Sequence, residues 1–327
     1  MEKRILGRTG VAVSMLGFGC GAVGGLMVKG EPRDQERAVA LAVERGINFF
    51  DTAPMYGNGL SETHLGRVLK ALKPDIFLAT KVTIRPEDVS DIAGAVSRSL
   101  EASLARLGRD HVDLLQLHNR IARSGEDRPI PTPTVLDQVV PAVVALKRQG
   151  RIRFAGITAL GDTRELLSVV DPGVFDTAQI VFNLLNPSAA TDRPAALPGQ
   201  DFARLAVQAR DQCMGRIGIR VLAGGALSGS EERHPTGVPV VPPIASGRDY
   251  ASDVAAARRF LPLVQAGHAA SLVELALRFA ISDDTLSTVL VGTSTIAQLE
   301  TAIAAIEKGA LPPPALDGIR RVWAGGR

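Results

Sequence analysis

The chain of 327 residues is 46% hydrophobic and carries 37 basic against 34 acidic residues, for a net charge of +3. That composition can fill a large core and excludes a disordered or fibrous chain. With 4% aromatic residues and no basic run, nucleic acid is a poor partner, and no stretch of 18 apolar residues is present to span a membrane.

The first residues, Arg4-Ile5-Leu6-Gly7-Arg8-Thr9-Gly10-Val11-Ala12-Val13-Ser14, read as a small hairpin turning at Thr9-Gly10. After it, short apolar runs alternate with stretches of helical period. The runs Met15–Gly19, Ile47–Asp51, Ile76–Thr80, Val112–Leu117, Ile152–Gly156, Phe175–Val181, Ile217–Leu222 and Ser287–Val291 predict eight strands. Helices are predicted at Arg33–Arg45, Ser61–Ala71, Pro86–Leu107, Thr134–Gln149, Thr163–Val170, Asp201–Met214, Ser271–Ile281 and Thr295–Glu307, with an additional one at Asp249–Gln265. Strands that alternate with helices pair in parallel through right-handed crossovers. Eight such units predict one α/β domain over residues 1–327, a (β/α)8 TIM barrel with the hairpin plugging its bottom. Three long loops, His118–Pro133, Leu184–Gln200 and the Gly-, Pro- and Ser-rich Gly224–Arg248, each follow a strand. They belong to the C-terminal face, where barrels keep their ligand sites.

Polar residues at strand ends become neighbours on that rim. Strand two ends at Asp51, with Tyr56 in the loop after it; strand three leads into Lys81 and strand four into His118. Singly, each has an ordinary explanation, such as a rim charge for Lys81 or a loop histidine for His118. Together they suit proton transfer. A phenol titrates at about 10, and a neighbouring ammonium is expected to bring it down. A carboxylate would hold that ammonium, and an imidazole would steer a substrate oxygen or pass a proton. His64, His111, His234 and His268 show no metal-ligand spacing, so no metal is expected. Gly21-Ala22-Val23-Gly24-Gly25 is better read as a loop bordering the pocket than as a dinucleotide fingerprint.

With these residues in place, the chain resembles the aldo-keto reductase family. The matching motifs are Gly46-Ile47-Asn48-Phe49-Phe50-Asp51-Thr52-Ala53, Tyr56-Gly57, Ser61-Glu62, Thr80-Lys81, and Val112-Asp113-Leu114 through Leu117-His118. Leu6-Gly7-Arg8-Thr9-Gly10 and Val291-Gly292-Thr293-Ser294 match at the two ends, so the resemblance spans nearly the whole chain. It implies Asp51, Tyr56, Lys81 and His118 as the catalytic tetrad of an oxidoreductase. Hydride would pass between a nicotinamide and a carbonyl or alcohol carbon of a small aldehyde, ketone or aldose.

The resemblance also implies a cofactor lining of Gly19, Asp51, Thr158, Gln179, Arg220, Leu222, Gly292, Thr293, Ser294 and Gln298. Thr158 and Gln179 would hold the carboxamide. The family's usual Tyr-Ser-Pro-Leu is here Ile219-Arg220-Val221-Leu222. Arg220 would reach the pyrophosphate or pair with a rim acid. No lysine or arginine lies between Val289 and Glu307, Ala159 stands where asparagine is usual, and Thr301-Ala302 replaces a Glu-Asn pair. These departures resemble the aldose 1-dehydrogenase branch and favour NAD, or dual use of NAD and NADP. A sensor or regulatory subunit that binds NAD(P)H with little turnover is the alternative from another class. An unrelated barrel lyase or isomerase, needing no dinucleotide, is a third. Two cysteines, Cys20 and Cys213, and no apolar core for a signal peptide at Met1–Gly7 favour the cytoplasm.

Overall fold

Local pairing brings the N-terminus back on itself. Strands β1 (Lys3–Ile5) and β2 (Ala12–Ser14) pair antiparallel, Lys3 with Ser14 and Ile5 with Ala12, around a 3-10 turn at Gly7–Thr9. The computed structural model, which describes residues 1–125, 129–242, 248–282 and 284–325, then closes eight parallel strands into a barrel. These are β3 (Leu16–Gly19), β4 (Phe49–Asp51), β5 (Phe77–Val82), β6 (Val112–Leu117), β7 (Ile152–Thr158), β8 (Thr177–Val181), β9 (Gly215–Ile219) and β10 (Thr288–Gly292). β10 closes the ring on β3, from Val289 opposite Leu16 to Gly292 opposite Gly19. β5 and β6 are buried at every residue, as expected for parallel strands covered outside by helices.

The hairpin is the plug. Leu6 and Val13 pack with Phe49, Phe77, Ala79, Leu114 and Ile217 in a cluster of their own, apart from the core between strands and helices. Phe49 and Phe77 stack there with ring centroids 5.3 Å apart.

Several element boundaries differ from those predicted, for local reasons. β5 runs on to Val82 and β7 to Thr158, so Lys81 and Thr158 lie within strands. β9 stops at Ile219 because Arg220 and Ala223 adopt positive φ, 57° and 49°, and turn the chain off the sheet. Arg220 and Leu222 therefore stand beyond the strand. Pro86–Leu107 divides into a 3-10 turn and a helix Ile92–Leu107, which Asp91 caps by accepting from the Gly94 amide at 2.9 Å. The stretch Thr134–Gln149 contains a π turn, Val135–Val139, ahead of helix Val140–Arg148. The wider turn makes room for Pro141, which lacks an amide proton and crowds the carbonyl four residues back. Pro262 likewise ends the span from Asp249 as two helices, Tyr250–Arg258 and Leu261–Gln265.

The single turn of helix Leu26–Lys29 and one long helix are absent from the sequence prediction. Pro313–Trp323 packs Ile319, Val322 and Trp323 into the core. Trp323 donates its indole N–H to the Leu184 carbonyl at 2.8 Å, which anchors the start of the loop after β8.

The segment after β9 forms a strap to the loop after β3, two strands along the barrel. Arg233 grips three carbonyls, Gly224 at 2.7 Å, Val238 at 2.8 Å and Val23 at 3.3 Å. The Val238 amide donates to Ala22 at 3.2 Å. Gly25, at φ 83°, has no room for a Cβ beside the Thr236 carbonyl, so strap and glycine loop meet backbone to backbone. Parts of two long loops, 126–128 and 243–247, lie outside the described residues.

Candidate active site

The barrel interior gathers an ion pair at the ends of β4 and β5. Asp51 and Lys81 are 4% and 1% exposed, a burial that two charges tolerate only when paired and hydrogen-bonded. Lys81 Nζ donates to Asp51 Oδ1, to the Thr52 carbonyl at 2.9 Å and to the Tyr56 hydroxyl at 3.1 Å. Its three protons thus have three acceptors. The other Asp51 oxygen, Oδ2, accepts from Gln116 Nε2 at 2.9 Å and Gln179 Nε2 at 2.7 Å.

Tyr56 reaches the ammonium from its loop. Ser61 steadies that loop: its amide donates to the Tyr56 carbonyl at 3.2 Å, and its hydroxyl donates to the Cys20 carbonyl at 2.9 Å. Gly57, at φ 62°, passes so close to Val28 that a Cβ would collide. Beneath the loop, buried Glu62 accepts from Thr80 at 2.5 Å and from Arg106 at 2.7 Å. His118, one residue past β6, sets its ring perpendicular to that of Tyr56, with centroids 5.7 Å apart. All four strand-end groups therefore converge as the sequence predicts.

Their electrostatics correct one expectation. Burial pushes the Tyr56 phenol above its ordinary value, and the Lys81 ammonium pulls it only part of the way back. The phenol stays protonated at neutral pH. Burial works against the charge on Lys81 too, but Asp51 and Tyr56 outweigh it and raise the ammonium. His118 is pushed down to about 3 by burial, then by the charges of Lys81 and Arg220. It is neutral at physiological pH and suited to orienting an oxygen rather than supplying a proton. Activity therefore lacks an inflection at the ordinary histidine value. Unfolded, the imidazole takes up a proton from about pH 6.5 downward, whereas folded it does so only near 3, so stability falls as pH drops through that window. Between about pH 6.5 and 4.5, urea midpoints are expected to show wild type losing about 2–3 kcal/mol more than His118→Gln.

The residues expected to line a cofactor groove are placed as follows. Thr158 ends β7, and its hydroxyl lies 3.4 Å from Gln179 Oε1 on β8, beside Asp51. Gly19 and Gly292 are paired at the ends of β3 and β10. Thr293 and Ser294 are buried in the turn that follows, while Gln298 is exposed. The Ser294 amide donates to Gln298 Oε1 at 2.8 Å and its hydroxyl to the Gly24 carbonyl at 2.5 Å. Both polar groups of Ser294 are thus engaged within the protein. Leu222 is half-buried beyond β9. Arg220 is not paired with a rim acid: among the described residues no carboxylate lies within ion-pair distance, and its buried Nη1 has no partner. Gln116 was missed in the sequence. Its signal was a lone amide within the otherwise apolar end of the run, Leu114-Leu115-Gln116-Leu117.

A model of the Aldo/keto reductase family matches residues 15–324. The chain belongs to the aldo/keto reductase family. L-galactose dehydrogenase of Arabidopsis thaliana is 32% identical over 312 residues, which are 94% of this chain and 88% of that protein. NADH-specific methylglyoxal reductase of Escherichia coli (strain K12) is 28% identical over 204 residues, 57% of this chain and 60% of that one. Among solved structures, an aldo-keto reductase of Bacillus halodurans in its holo form superposes with a TM-score of 0.70 at 26% identity, covering 98% of this chain and 96% of that one. Within this aldo/keto reductase barrel, the facing Thr158 hydroxyl and Gln179 amide match the donors and acceptors of a carboxamide. The unpartnered polar atoms His118 Nδ1 and Arg220 Nη1 also suit a mouth that takes a polar ligand.

Proposed function

We propose that this oxidoreductase transfers hydride between NAD or NADP and the carbonyl or alcohol carbon of a small aldehyde, ketone or aldose. The contact of Lys81 with both Asp51 and Tyr56 carries this reading. When bound, the dinucleotide supplies the hydride in reduction and accepts it in oxidation. In reduction Tyr56 gives its hydroxyl proton to the substrate oxygen; in oxidation it takes one from the alcohol. Lys81 offsets the phenolate that forms, and Asp51 keeps Lys81 charged and in place. His118, neutral, hydrogen-bonds the substrate oxygen. Thr158 and Gln179 orient the carboxamide.

NAD, or dual use, is the preference favoured. The segment after β10 has no lysine or arginine to meet a 2′-phosphate, and Lys308, the first cation past it, is engaged by Glu274 at 2.6 Å. The reading is tested by titrating NADH and NADPH through their fluorescence, then assaying aldoses and aldehydes in both directions. Turnover on the order of 1 s⁻¹ or more with some member is expected. Binding without turnover of any member would instead indicate a regulatory subunit, and failure to bind either dinucleotide would reject the reading.

A further inference from the structure

Two arginines of one strand and its exit are treated very differently. Arg216, in β9, spends its guanidinium on three carbonyls, Thr285 at 2.6 Å, Met214 at 3.0 Å and Asp284 at 3.0 Å. Arg220, the first residue past β9, has its backbone pinned. Its carbonyl accepts from the Ala223 amide at 2.7 Å and from Asn183 Nδ2 at 3.0 Å. Its head group is left unspent, with a buried Nη1 that has no partner among the described residues. Burial works against its charge, and a buried guanidinium is stabilised by a facing anion. Arg220 stands on the same rim as the tetrad: Ile219 before it pairs with Val181 at the end of β8, the strand whose Gln179 bonds Asp51, and its charge also acts on Tyr56 and His118. Thr83, two residues beyond Lys81, has a buried hydroxyl that is likewise unpartnered.

We propose that Arg220 holds a carboxylate of the substrate, so that the enzyme prefers carbonyl compounds bearing an acid group, and their hydroxy-acid products, over neutral ones. This rests on the hydride-transfer reading of the same site. The planar guanidinium fork matches a carboxylate with two parallel hydrogen bonds. Anchored there, the substrate extends its carbonyl toward Tyr56 and His118. In the reduction, the carbonyl carbon receives a hydride as NAD(P)H becomes NAD(P)⁺, the oxygen receives the Tyr56 proton, and the carboxylate is unchanged. Tyr56 regains its proton from water.

The test pairs acids with neutral analogues: succinic semialdehyde with butanal for reduction, galacturonate with galactose for oxidation. Wild type is expected to favour the acid of a pair by about tenfold to a hundredfold in kcat/KM. In Arg220→Gln that ratio is expected to collapse toward one, chiefly through KM, with the dinucleotide Kd from fluorescence unchanged. Arg220→Lys is expected to restore part of the preference. A ratio near one in wild type for both pairs overturns this inference and leaves the hydride-transfer reading standing. So does an Arg220→Gln variant that weakens dinucleotide binding and slows acid and neutral substrates alike, which would place Arg220 on the pyrophosphate. If none of the four compounds turns over, the hydride-transfer reading fails for them and this inference fails with it.

Discussion

Tyr56→Phe is expected to lower turnover by a factor of about 10²–10⁴, the usual contribution of a positioned proton donor, while the dinucleotide Kd stays within about twofold. The substitution removes one oxygen. The ring remains to pack beside Gly21 and against the perpendicular His118 ring, with centroids 5.7 Å apart. Lys81 keeps two of its three acceptors, Asp51 and the Thr52 carbonyl, so the buried ammonium stays held. Steady-state kinetics beside a fluorescence titration check the prediction. Weakened binding with turnover retained would move the proton chemistry away from Tyr56.

Lys81→Met is expected to damage both activity and stability. It leaves the Asp51 carboxylate buried with only the amides of Gln116 and Gln179 as donors. Breaking a buried pair by removing one partner costs about 3–5 kcal/mol, whereas replacing both with uncharged groups is often nearly neutral. The denaturation midpoint should therefore fall in Lys81→Met and recover in Asp51→Asn/Lys81→Met, with turnover lost in both. Equal stability in the single and double variants would mean that the pair contributes no buried charge imbalance. A stable single variant would mean that water reaches Asp51.

The barrel was legible because its signals repeat. Eight apolar runs separated by helical stretches fix a count, and a strand end carries the same meaning on each unit. Asp51, Tyr56, Lys81 and His118 were readable for that reason, since their closeness follows from topology alone. The direction of the Tyr56 shift was not legible. It is a contest between burial and one ammonium, and sequence names the ammonium without measuring the burial. Helix Pro313–Trp323 is not legible from local pattern, although a proline run marks its start. Its partner, the Leu184 carbonyl, lies 139 residues away in sequence. Arg220 could be seen as unusual, but the choice between ion pair and open charge depended on which carboxylates the fold brings near it, and among the described residues its buried Nη1 has no partner.

The hairpin beneath the barrel has a kinetic meaning. Leu6 and Val13, wedged among Phe49, Phe77, Leu114 and Ile217, close the barrel at its N-terminal end and leave the C-terminal rim as the single door to the tetrad. Whatever reaches the tetrad enters and leaves by that same rim. On the proposed reading, the carboxamide held by Thr158 and Gln179 is the deeper occupant. A single door then imposes a queue: dinucleotide in first and out last, with the carbonyl compound exchanging above it.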